Sequence, residues 1–481
     1  MRTVIEHVNH CRSTLILLAL AVTTMGAAPA EIIAESQLRV GLHAVDVTPE
    51  LNPDDPIYLA GLERNRAATE VRDKLYARAV VLVSGEDRIA LVSVDSIGVQ
   101  RPTVVAVRDQ LPGFDYVLVA STHTHSAPDC IGLWGPSETE SGVSKGYMQL
   151  LEQGIVEAVR TAAAAAVPAR AAYGTAEDQT LLGDYRLPKV YDSVLRAIRF
   201  ERISDGKTCG ILVQWNAHGV EPRNNPRITR DFYGETVDQL EAQFECPVVL
   251  FSGAVGGLMG SPKPEAFLDE SAREGLDEFK FMELYGEAIA GLTGKALSAA
   301  ESIELTPLAV SAKPIAIPLD NMGYRMARRI GVLSRPAIEW TGDSEVLGKP
   351  VPAEQTEGEI AFVTEVCYLR LGQLHVAGIP GELYPELVYG EFQEPADPGA
   401  DFSDAPLETP VMQILPGEKT LLLGLANDEV GYILPKRQWD IEPPFCYGRK
   451  GPQYGEVNSV GPETARILSE ALANRVRELS E

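Results

Sequence analysis

Residues 116–126 read Tyr-Val-Leu-Val-Ala-Ser-Thr-His-Thr-His-Ser and place two histidines directly after an apolar run. The run 116–120 is typical of a buried strand, and α/β proteins place functional residues beyond the carboxyl ends of such strands. On an extended continuation of the strand, positions i and i+2 project from the same face. His123 and His125 could therefore share one metal ion, or one could bind it while the other serves the reaction. The alternative is a pair of surface histidines in a loop flanked by threonines.

Strands and helices alternate on both sides of this stretch. Further strands are predicted at residues 38–45, 75–83, 89–94, 191–201, 208–215, 247–251, 308–318, 360–371, 374–379 and 421–425. Helices are predicted at residues 148–166, 233–244, 281–300, 383–389 and 462–480. The alternation indicates an α/β fold of mixed β-sheets layered with helices. No internal repeat, low-complexity linker or break in composition divides the chain, so we expect a single large catalytic domain.

The composition excludes some classes of partner. The 481 residues carry a formal net charge of -26, with 45% hydrophobic and 23% charged residues, which are the proportions of an ordinary globular protein. Binding to nucleic acid requires clustered Lys and Arg, and the sequence shows no such cluster. Acidity this strong more often serves solubility than a specific partner, and the oligomeric state stays open. The cysteines after residue 30 are scattered and odd in number, which argues against a disulfide framework or a cysteine zinc site.

Residues 1–30 have the features of an export signal peptide. Arg12 precedes the apolar segment 15–22, and Ala28-Pro29-Ala30 supplies small residues for cleavage. Residues 31–481 would then form the mature protein, which we expect to be periplasmic or secreted. No later apolar run approaches the roughly 18 residues of a membrane span, so no transmembrane segment is expected in the mature chain.

Three further residues of metal-ligand type follow predicted strands: His218, Glu382 and Tyr432. Two imidazoles, one carboxylate and an open position make a catalytic zinc arrangement. Each residue also has a structural alternative, as a core histidine, a helix cap and a packed core tyrosine, respectively. Asp95 ends another predicted strand, where a helix cap or a turn aspartate is an equally good interpretation.

Several motifs recur along the chain in an order typical of one enzyme family. They are Asp46-Val47-Thr48-Pro49, Leu75-Tyr76-Ala77-Arg78-Ala79, Ser93-Val94-Asp95, Thr122-His123-Thr124-His125-Ser126, Trp215-Asn216-Ala217-His218-Gly219, Ile379-Pro380-Gly381-Glu382, Gly431-Tyr432-Ile433, Tyr454 and Gly461-Pro462. In these motifs the sequence resembles the catalytic domain of the neutral/alkaline (non-lysosomal) ceramidases, zinc-dependent amidases that split the N-acyl bond of ceramide. The resemblance runs from about residue 38 to the C-terminal helix.

The resemblance implies a role for each residue that matches a family motif. The zinc ligands would be His123, His218, Glu382 and Tyr432. His125 would be a histidine beside the metal that contacts the substrate. The remaining two site residues would orient the scissile amide, and these are Arg186 and Tyr454.

The glycine-rich turn 252–257 lacks the Gly-Lys-Ser/Thr ending of a phosphate loop, so it favours close approach of the backbone to a substrate or metal.

The chain departs from the family pattern in two places, the first of them at this turn. In the family this turn leads to a serine regarded as the nucleophile, and Met259 stands at that place here. Ser252 and Ser261 are nearby but off the motif. The resemblance also stops at the C-terminal helix, and we expect no immunoglobulin-like C-terminal domain.

Together with the resemblance, these features predict an exported zinc-dependent hydrolase with a small-molecule or lipid substrate. It would cleave an amide bond, of ceramide or of another N-acyl compound. With a thioether at Met259, metal-activated water is the expected nucleophile, and His125 the expected general acid or base. A displaced serine is the rival nucleophile. Two alternative functions are a metal-dependent hydrolase of an ester or a carbohydrate-derived substrate, and a catalytically silent binding protein on the same scaffold.

Overall fold

Strands form the framework of the protein and helices cover it. The computed structural model describes residues 37–223, 225–257 and 259–480. In chain order the strands are β1 (Arg39–Asp46), β2 (Glu70–Val71), β3 (Tyr76–Ser84), β4 (Asp87–Val94), β5 (Tyr116–Ser121), β6 (Val167–Glu177), β7 (Val194–Arg202), β8 (Thr208–Trp215), β9 (Arg227–Ile228), β10 (Val248–Ser252), β11 (Glu301–Ile303), β12 (Leu308–Pro318), β13 (Ala337–Glu339), β14 (Pro350–Val351), β15 (Ile360–Leu371), β16 (Leu374–Gly378), β17 (Glu382–Leu383), β18 (Thr420–Leu423) and β19 (Tyr432–Ile433). The α-helices are α1 (Arg101–Asp109), α2 (Lys145–Ala164), α3 (Asp231–Phe244), α4 (Glu278–Ser298), α5 (Met322–Arg329), α6 (Glu386–Tyr389), α7 (Val411–Ile414) and α8 (Thr464–Glu478).

The larger sheet contains the strand that precedes the histidine pair. Its strand order is β10-β8-β7-β6-β1-β3-β4-β5, with β11 also paired to β6. All six residues of β5 are buried, as expected of a strand that is covered on both faces. The sheet curves until β10, at one end, lies beside β4 and β5 at the other end. Ser93 of β4 donates a hydrogen bond to the Leu250 carbonyl of β10 at 2.5 Å. The same contact continues beyond β5, where the Ser252 hydroxyl donates to the Thr122 carbonyl at 2.6 Å.

The second sheet has the order β14-β13-β15-β16-β18, with β12 paired to β15. Apolar side chains of the two sheets pack against each other in one core, to which Leu118 and Phe251 contribute from the first sheet and Leu369 and Val376 from the second. Helices cover the outer faces, with α2, α3 and α4 on the larger sheet and α8 on the smaller. The result is a layered α/β fold with mixed sheets, and the predicted fold class is confirmed.

Local sequence explains where the long helices begin. Ser144 caps α2 by accepting a hydrogen bond from the backbone N–H of Tyr147, and Asp277 caps α4 in the same way from Lys280. The helix expected at residues 383–389 is shorter, since Glu382 and Leu383 form β17 and α6 begins at Glu386. Among the longer elements, strand β6 and helices α1 and α5 had no counterpart in the sequence-based assignment, and several strands of two or three residues and the four-residue helix α7 were not predicted either.

The signal peptide predicted at residues 1–30 lies outside the described residues and stays a prediction. Among the helices of the described ranges, none combines the length and the apolar character needed to cross a bilayer.

Candidate metal centre

The two histidine motifs come together through backbone pairing of the loops that follow β5 and β8. Thr124 and Gly219 form an isolated parallel bridge between these loops. The backbone N–H of His125 donates to the Gly219 carbonyl at 2.8 Å. This pairing places His218 beside both His123 and His125, with ring centroids 4.7 Å and 5.7 Å away, respectively.

His123 does not continue the strand in an extended conformation, so the same-face argument for the pair at i and i+2 is wrong. Its φ is +73°, in the left-handed region that a residue with a Cβ rarely adopts. Its N–H is held by the Ser96 carbonyl at 2.9 Å, and its Nδ1 lies 2.6 Å from the Ile97 carbonyl. A turn at His123, and not strand pleating, brings its ring within 4.8 Å of the His125 ring. Strained backbone of this kind clusters at functional sites.

His218 is oriented by a single carbonyl oxygen. Both its backbone N–H and its Nδ1 point at the Met259 oxygen, at 2.7 Å and 2.8 Å. A carbonyl can only accept, so Nδ1 carries the proton and the Nε2 lone pair faces the centre, as in metal-binding histidines. The Ile97 carbonyl imposes the same tautomer on His123.

Met259 therefore contributes through its backbone. Its side chain is fully buried and packs in an apolar cluster with Leu181, Trp215 and Tyr285. The chain position expected to replace the family's serine thus points into the core.

Glu382 and Tyr432 reach the same centre from the second half of the chain. They are paired residues of the short parallel ladder between β17 and β19. Glu382 Oε2 lies 2.7 Å from His218 Nε2 and 3.3 Å from His123 Nε2, and the Tyr432 hydroxyl lies 3.4 Å from His218 Nε2. The predicted ligands therefore converge on one point.

The charges around this point set the protonation of the carboxyl and the phenol. Burial by itself raises the pKa of Glu382, but positive charge on His123 and His218, when these imidazoles are protonated, outweighs burial and lowers that pKa below its usual range. Burial, followed by the charge of Glu382, raises the pKa of the Tyr432 phenol well above its ordinary value.

His125 is the least satisfied side chain of the group. It is buried, and neither of its ring nitrogens has a hydrogen-bond partner among the described residues. Burial and the two neighbouring imidazoles lower its pKa well below the ordinary value. One nitrogen from each of His123, His125 and His218 lies within 4.8 Å of the others, which is a spacing that could hold a metal ion. The centre therefore offers two overlapping donor sets, the three histidines or two histidines with Glu382 and Tyr432.

The donors fit a metal ion such as zinc. His218 Nε2 and Glu382 Oε2 face each other at 2.7 Å, and with the imidazole proton engaged at Nδ1 both atoms are acceptors. Only an extra proton or a cation can lie favourably between them. The unpartnered nitrogens of His125 add further donor capacity beside that point.

Two cavities flank the histidines, and Gly61, His125, Tyr432 and Tyr454 line both of them. The small cavity has a volume of about 80 Å³ and also contacts His123 and Glu382. The large cavity has a volume of about 360 Å³ and also contacts His218. A substrate bound across the shared wall would have a different portion in each cavity.

Gly61 is a site residue that the sequence analysis did not single out. Its φ is +91°, and a Cβ at this position would lie 2.4 Å from the His125 ring. Glycine is therefore required for two reasons, the backbone conformation and the space that His125 occupies. The sequence showed only a loop glycine, because nothing in a local pattern reveals which distant side chain approaches it.

Arg186 and Tyr454 occupy different kinds of position. Tyr454 lines both cavities and accepts a hydrogen bond from Asn458 Nδ2, so its own hydroxyl proton is free to point elsewhere. Arg186 lines neither cavity. Its guanidinium binds Glu456 through two bonds of 2.9 Å and 2.7 Å, and donates to the Tyr454 carbonyl at 2.7 Å. Direct contact with a scissile amide, which the resemblance implied for Arg186, does not fit this placement, while a supporting role beneath Tyr454 does.

The remaining candidates from the sequence have structural partners. The Ser252 hydroxyl donates to Thr122, and that of Ser261 donates to Glu221 Oε1 at 3.1 Å. Asp95 accepts the backbone N–H of Tyr76 at 2.8 Å and lies outside both cavities. None of these three residues lines either cavity.

Comparison with known proteins places the fold. No protein-family model and no curated protein matches the sequence. The structure is similar to that of the neutral ceramidase from Pseudomonas aeruginosa, with a TM-score of 0.68 and 16% identity over 92% of this chain and 75% of that chain. A second solved structure, a ceramidase complexed with C2, gives a TM-score of 0.67 and 16% identity over 93% and 76% of the two chains. This chain therefore has the fold of the neutral ceramidases.

Proposed function

We propose that this protein is an exported zinc-dependent hydrolase that cleaves the amide bond of ceramide or of another N-acyl compound. The observation that carries the proposal is that Glu382 Oε2 lies 3.3 Å from His123 Nε2 and 2.7 Å from His218 Nε2, with the Tyr432 hydroxyl 3.4 Å from His218 Nε2. Both imidazoles donate their Nδ1 proton to a backbone carbonyl, which fixes the tautomer that metal binding requires. The ceramidase fold supports the same chemistry.

A zinc ion held by His123, His218, Glu382 and Tyr432 would supply a Lewis acid and would activate water for attack near neutral pH. The protein's own part is orientation. Carbonyls of Ile97 and Met259 hold the two imidazoles, and the β17–β19 ladder holds Glu382 against Tyr432. These contacts are made by backbone groups, so the geometry is preorganised before a substrate arrives.

Proton transfer and oxyanion binding are the roles of two of the four residues that line both cavities, His125 and Tyr454. His125 has both ring nitrogens without a partner among the described residues, so it can accept a proton on one side and donate on the other. Tyr454 can donate its hydroxyl proton to the developing oxyanion, a contribution of roughly 3 kcal/mol for one well-placed donor. Arg186 positions Tyr454 by binding its carbonyl.

The large cavity supports a substrate with an apolar portion. Leu62, Val220 and Tyr185 line it beside His218, and Arg223 is its charged residue. Its volume of about 360 Å³ accepts part of an acyl or alkyl chain. The solved structures with this fold are named ceramidases, which makes N-acyl lipids the first substrates to examine.

Metal analysis of the purified protein, followed by a hydrolysis screen, tests the proposal. We expect about one zinc ion per chain and cleavage of N-acyl amides in preference to matched esters and N-acetylated sugars. Loss of both zinc and amidase activity in His218→Ala would support the assignment. A zinc-free protein, or one that cleaves only the esters or the sugars, would overturn it.

A further inference from the structure

Helix α5 reverses the pattern of an ordinary surface helix. Its residues Arg325 and Arg328 are buried, and Arg328 exposes only 2% of its surface. Met322 exposes 57%, and Met326 and the C-cap residue Ile330 are also exposed. A surface helix normally buries its apolar face and exposes its charges. An apolar face that is held outward indicates a surface for interaction with something outside the chain.

The buried arginines fix which face of α5 points outward. Arg325 Nη1 donates to the carbonyls of Thr356 and Gly358, each at 2.9 Å. Arg328 Nε donates to the Arg335 carbonyl at 2.9 Å. All three acceptors are backbone groups and not carboxylates. The positive charges of the two arginines are therefore not neutralised by these contacts, and they add to the positive potential around the helix.

The exposed face of α5 continues towards the two cavities. Asn321, the N-cap of α5, donates from Nδ2 to the carbonyl of the exposed Val457 at 2.9 Å. Tyr454, three residues earlier, is exposed and lines both cavities. The exposed Leu187 exchanges hydrogen bonds of 2.9 Å and 2.8 Å with the side chain of Gln453. These exposed apolar residues form a surface that we call the apolar collar: Leu187, Met322, Met326, Ile330, Tyr454 and Val457.

The charges around the apolar collar are positive, although the chain as a whole has 68 Asp and Glu against 42 Lys and Arg. The collar segments 185–189, 322–330 and 447–459 contain a single carboxylate, that of Glu456, which is buried in its ion pair with Arg186. Four exposed cations of these segments form no ion pair among the described residues, and these are Lys189, Arg329, Arg449 and Lys450. Apolar side chains among unpaired cations are complementary to a surface that is apolar inside and anionic at its boundary.

We propose that the apolar collar docks the protein on a lipid bilayer that contains anionic lipids. Met322 and Val457 enter the boundary between headgroups and acyl chains, and Arg329 and Lys189 bind lipid phosphates. Tyr454 belongs both to the collar and to the walls of the two cavities, so docking brings the cavities to the lipid. Docking goes beyond the proposed function, because binding to a surface requires no hydrolysis.

Cosedimentation with lipid vesicles tests the docking surface. The full chain is mixed with vesicles of phosphatidylcholine alone, or of equal parts of phosphatidylcholine and phosphatidylglycerol, and neither kind contains an N-acyl amide. We expect binding to the mixed vesicles to be at least about tenfold stronger, since each cation near an anionic surface adds to the attraction. High salt should weaken this binding by screening the same charges.

Substitutions in the apolar collar should reduce binding to the mixed vesicles. We expect Val457→Ser and Met326→Ser each to weaken it about fivefold, because an apolar side chain is lost from the lipid boundary. Lys189→Gln and Arg329→Gln should each weaken it by a similar factor of about five, the attraction of one cation to an anionic surface. Each substituted side chain is exposed, and thermal unfolding checks that the variants remain folded.

Val346→Ser and Lys295→Gln are the matched controls. Both residues are exposed, and neither belongs to the collar segments. The loop of Val346 is held on α8 by the ion pair between Glu345 and Arg475, and Lys295 lies in the last turn of α4. Both variants should bind the mixed vesicles as the wild type does.

Three results would overturn the docking surface: no preference of the wild type for the mixed vesicles, a loss of binding in Val346→Ser as large as in Val457→Ser, or a wild-type dimer in sedimentation velocity that dissociates in Val457→Ser. The last result would assign the collar to a second copy of the chain. Hydrolysis of a soluble N-acyl amide is measured in parallel. Amide hydrolysis without vesicle binding contradicts the docking surface alone, and vesicle binding without amide hydrolysis contradicts only the proposed function.

Discussion

The Nε2 atom of His218 and the Oε2 atom of Glu382 lie 2.7 Å apart, with the imidazole proton engaged on the far side of the ring by the Met259 carbonyl. Two buried acceptors at this distance repel each other unless a positive charge lies between them. A bound cation removes that repulsion and gains both lone pairs. The relationship explains why residues 164 positions apart in sequence occupy the same point of the fold.

Alanine substitutions should separate the two donor sets. We expect His123→Ala, His218→Ala and Glu382→Ala to reduce bound zinc from about one ion per chain to near none, since each removes an atom at the shared point. His125→Ala should keep its zinc and lose hydrolysis. Elemental analysis of the purified variants measures the bound zinc and an amide-hydrolysis assay measures the activity, and His375→Ala, whose ring pairs with Tyr368 instead, is the control. Zinc loss in His125→Ala would favour the three-histidine set, and full occupancy in His218→Ala would remove the assignment.

Gly61→Ala should impair catalysis through His125. The new Cβ would lie 2.4 Å from that ring, and a displacement of about 1 Å at a catalytic group costs on the order of a hundredfold in rate. Gly113→Ala is the matched control, because its φ of +93° is nearly the same while no atom lies within 4 Å of the added Cβ. Both variants should lose about 1 kcal/mol of stability from backbone strain, and only Gly61→Ala should lose activity. Equal kcat in the two variants would contradict the role of Gly61.

Local patterns predicted the elements whose burial is uniform. Strand β5 was expected at residues 116–120 and is observed at Tyr116–Ser121, because a continuous apolar run fits a strand covered on both faces. Strand β6 was missed: its sequence Val-Pro-Ala-Arg-Ala-Ala-Tyr-Gly-Thr-Ala-Glu has few β-branched residues and alternates weakly. Its strand conformation comes from pairing with β1, β7 and β11, which is tertiary information.

The candidate site was only partly accessible from the sequence for the same reason. Histidine motifs after strands are visible locally, but the adjacency of Glu382 and Tyr432 results from a two-residue parallel ladder between distant segments. The left-handed position in the turn is occupied by His123 and not by glycine or asparagine, so the sequence does not predict this turn.

Serine nucleophiles should not be required for hydrolysis. The Ser252 hydroxyl is committed to the Thr122 carbonyl, and Ser261 to Glu221, so neither is placed to attack a substrate at the histidines. We expect Ser252→Ala and Ser261→Ala to keep activity within roughly fivefold, the effect of one lost structural hydrogen bond. Acid-quenched single-turnover reactions followed by intact-protein mass spectrometry should show no acyl adduct. An acyl group on either serine, lost with activity in its Ala variant, would establish the rival mechanism.

Arg186 should affect stability more than chemistry. Its ion pair with Glu456 is almost fully buried, and removing one partner of such a pair costs about 3–5 kcal/mol. Arg186→Leu and Glu456→Leu should each lower the free energy of unfolding by that amount in urea titrations, and the double variant should recover part of it. Tyr454→Phe is the comparison, because it should reduce kcat with little change in stability. A kcat defect in Arg186→Leu without any loss of stability would instead support direct contact with the amide.

Asp95 should make the stability of the protein depend on pH. Burial raises its pKa to about 6, although Arg230 and Arg78 oppose the shift. Since the unfolded pKa is about 3.9, the folded state holds the proton more tightly, and the resulting stability is fully present below about pH 4 and lost as the pH rises through 6.

Asp95→Asn keeps an acceptor for the Tyr76 N–H without the buried charge, so it should be more stable than the wild type above about pH 7, by up to about 3 kcal/mol. The difference should shrink as the pH falls from 7 to 4, whereas Asp87→Asn, at the exposed start of β4, should track the wild type throughout. Urea unfolding across this range measures the effect, and a difference that stays constant with pH would show that folding leaves the pKa of Asp95 unshifted.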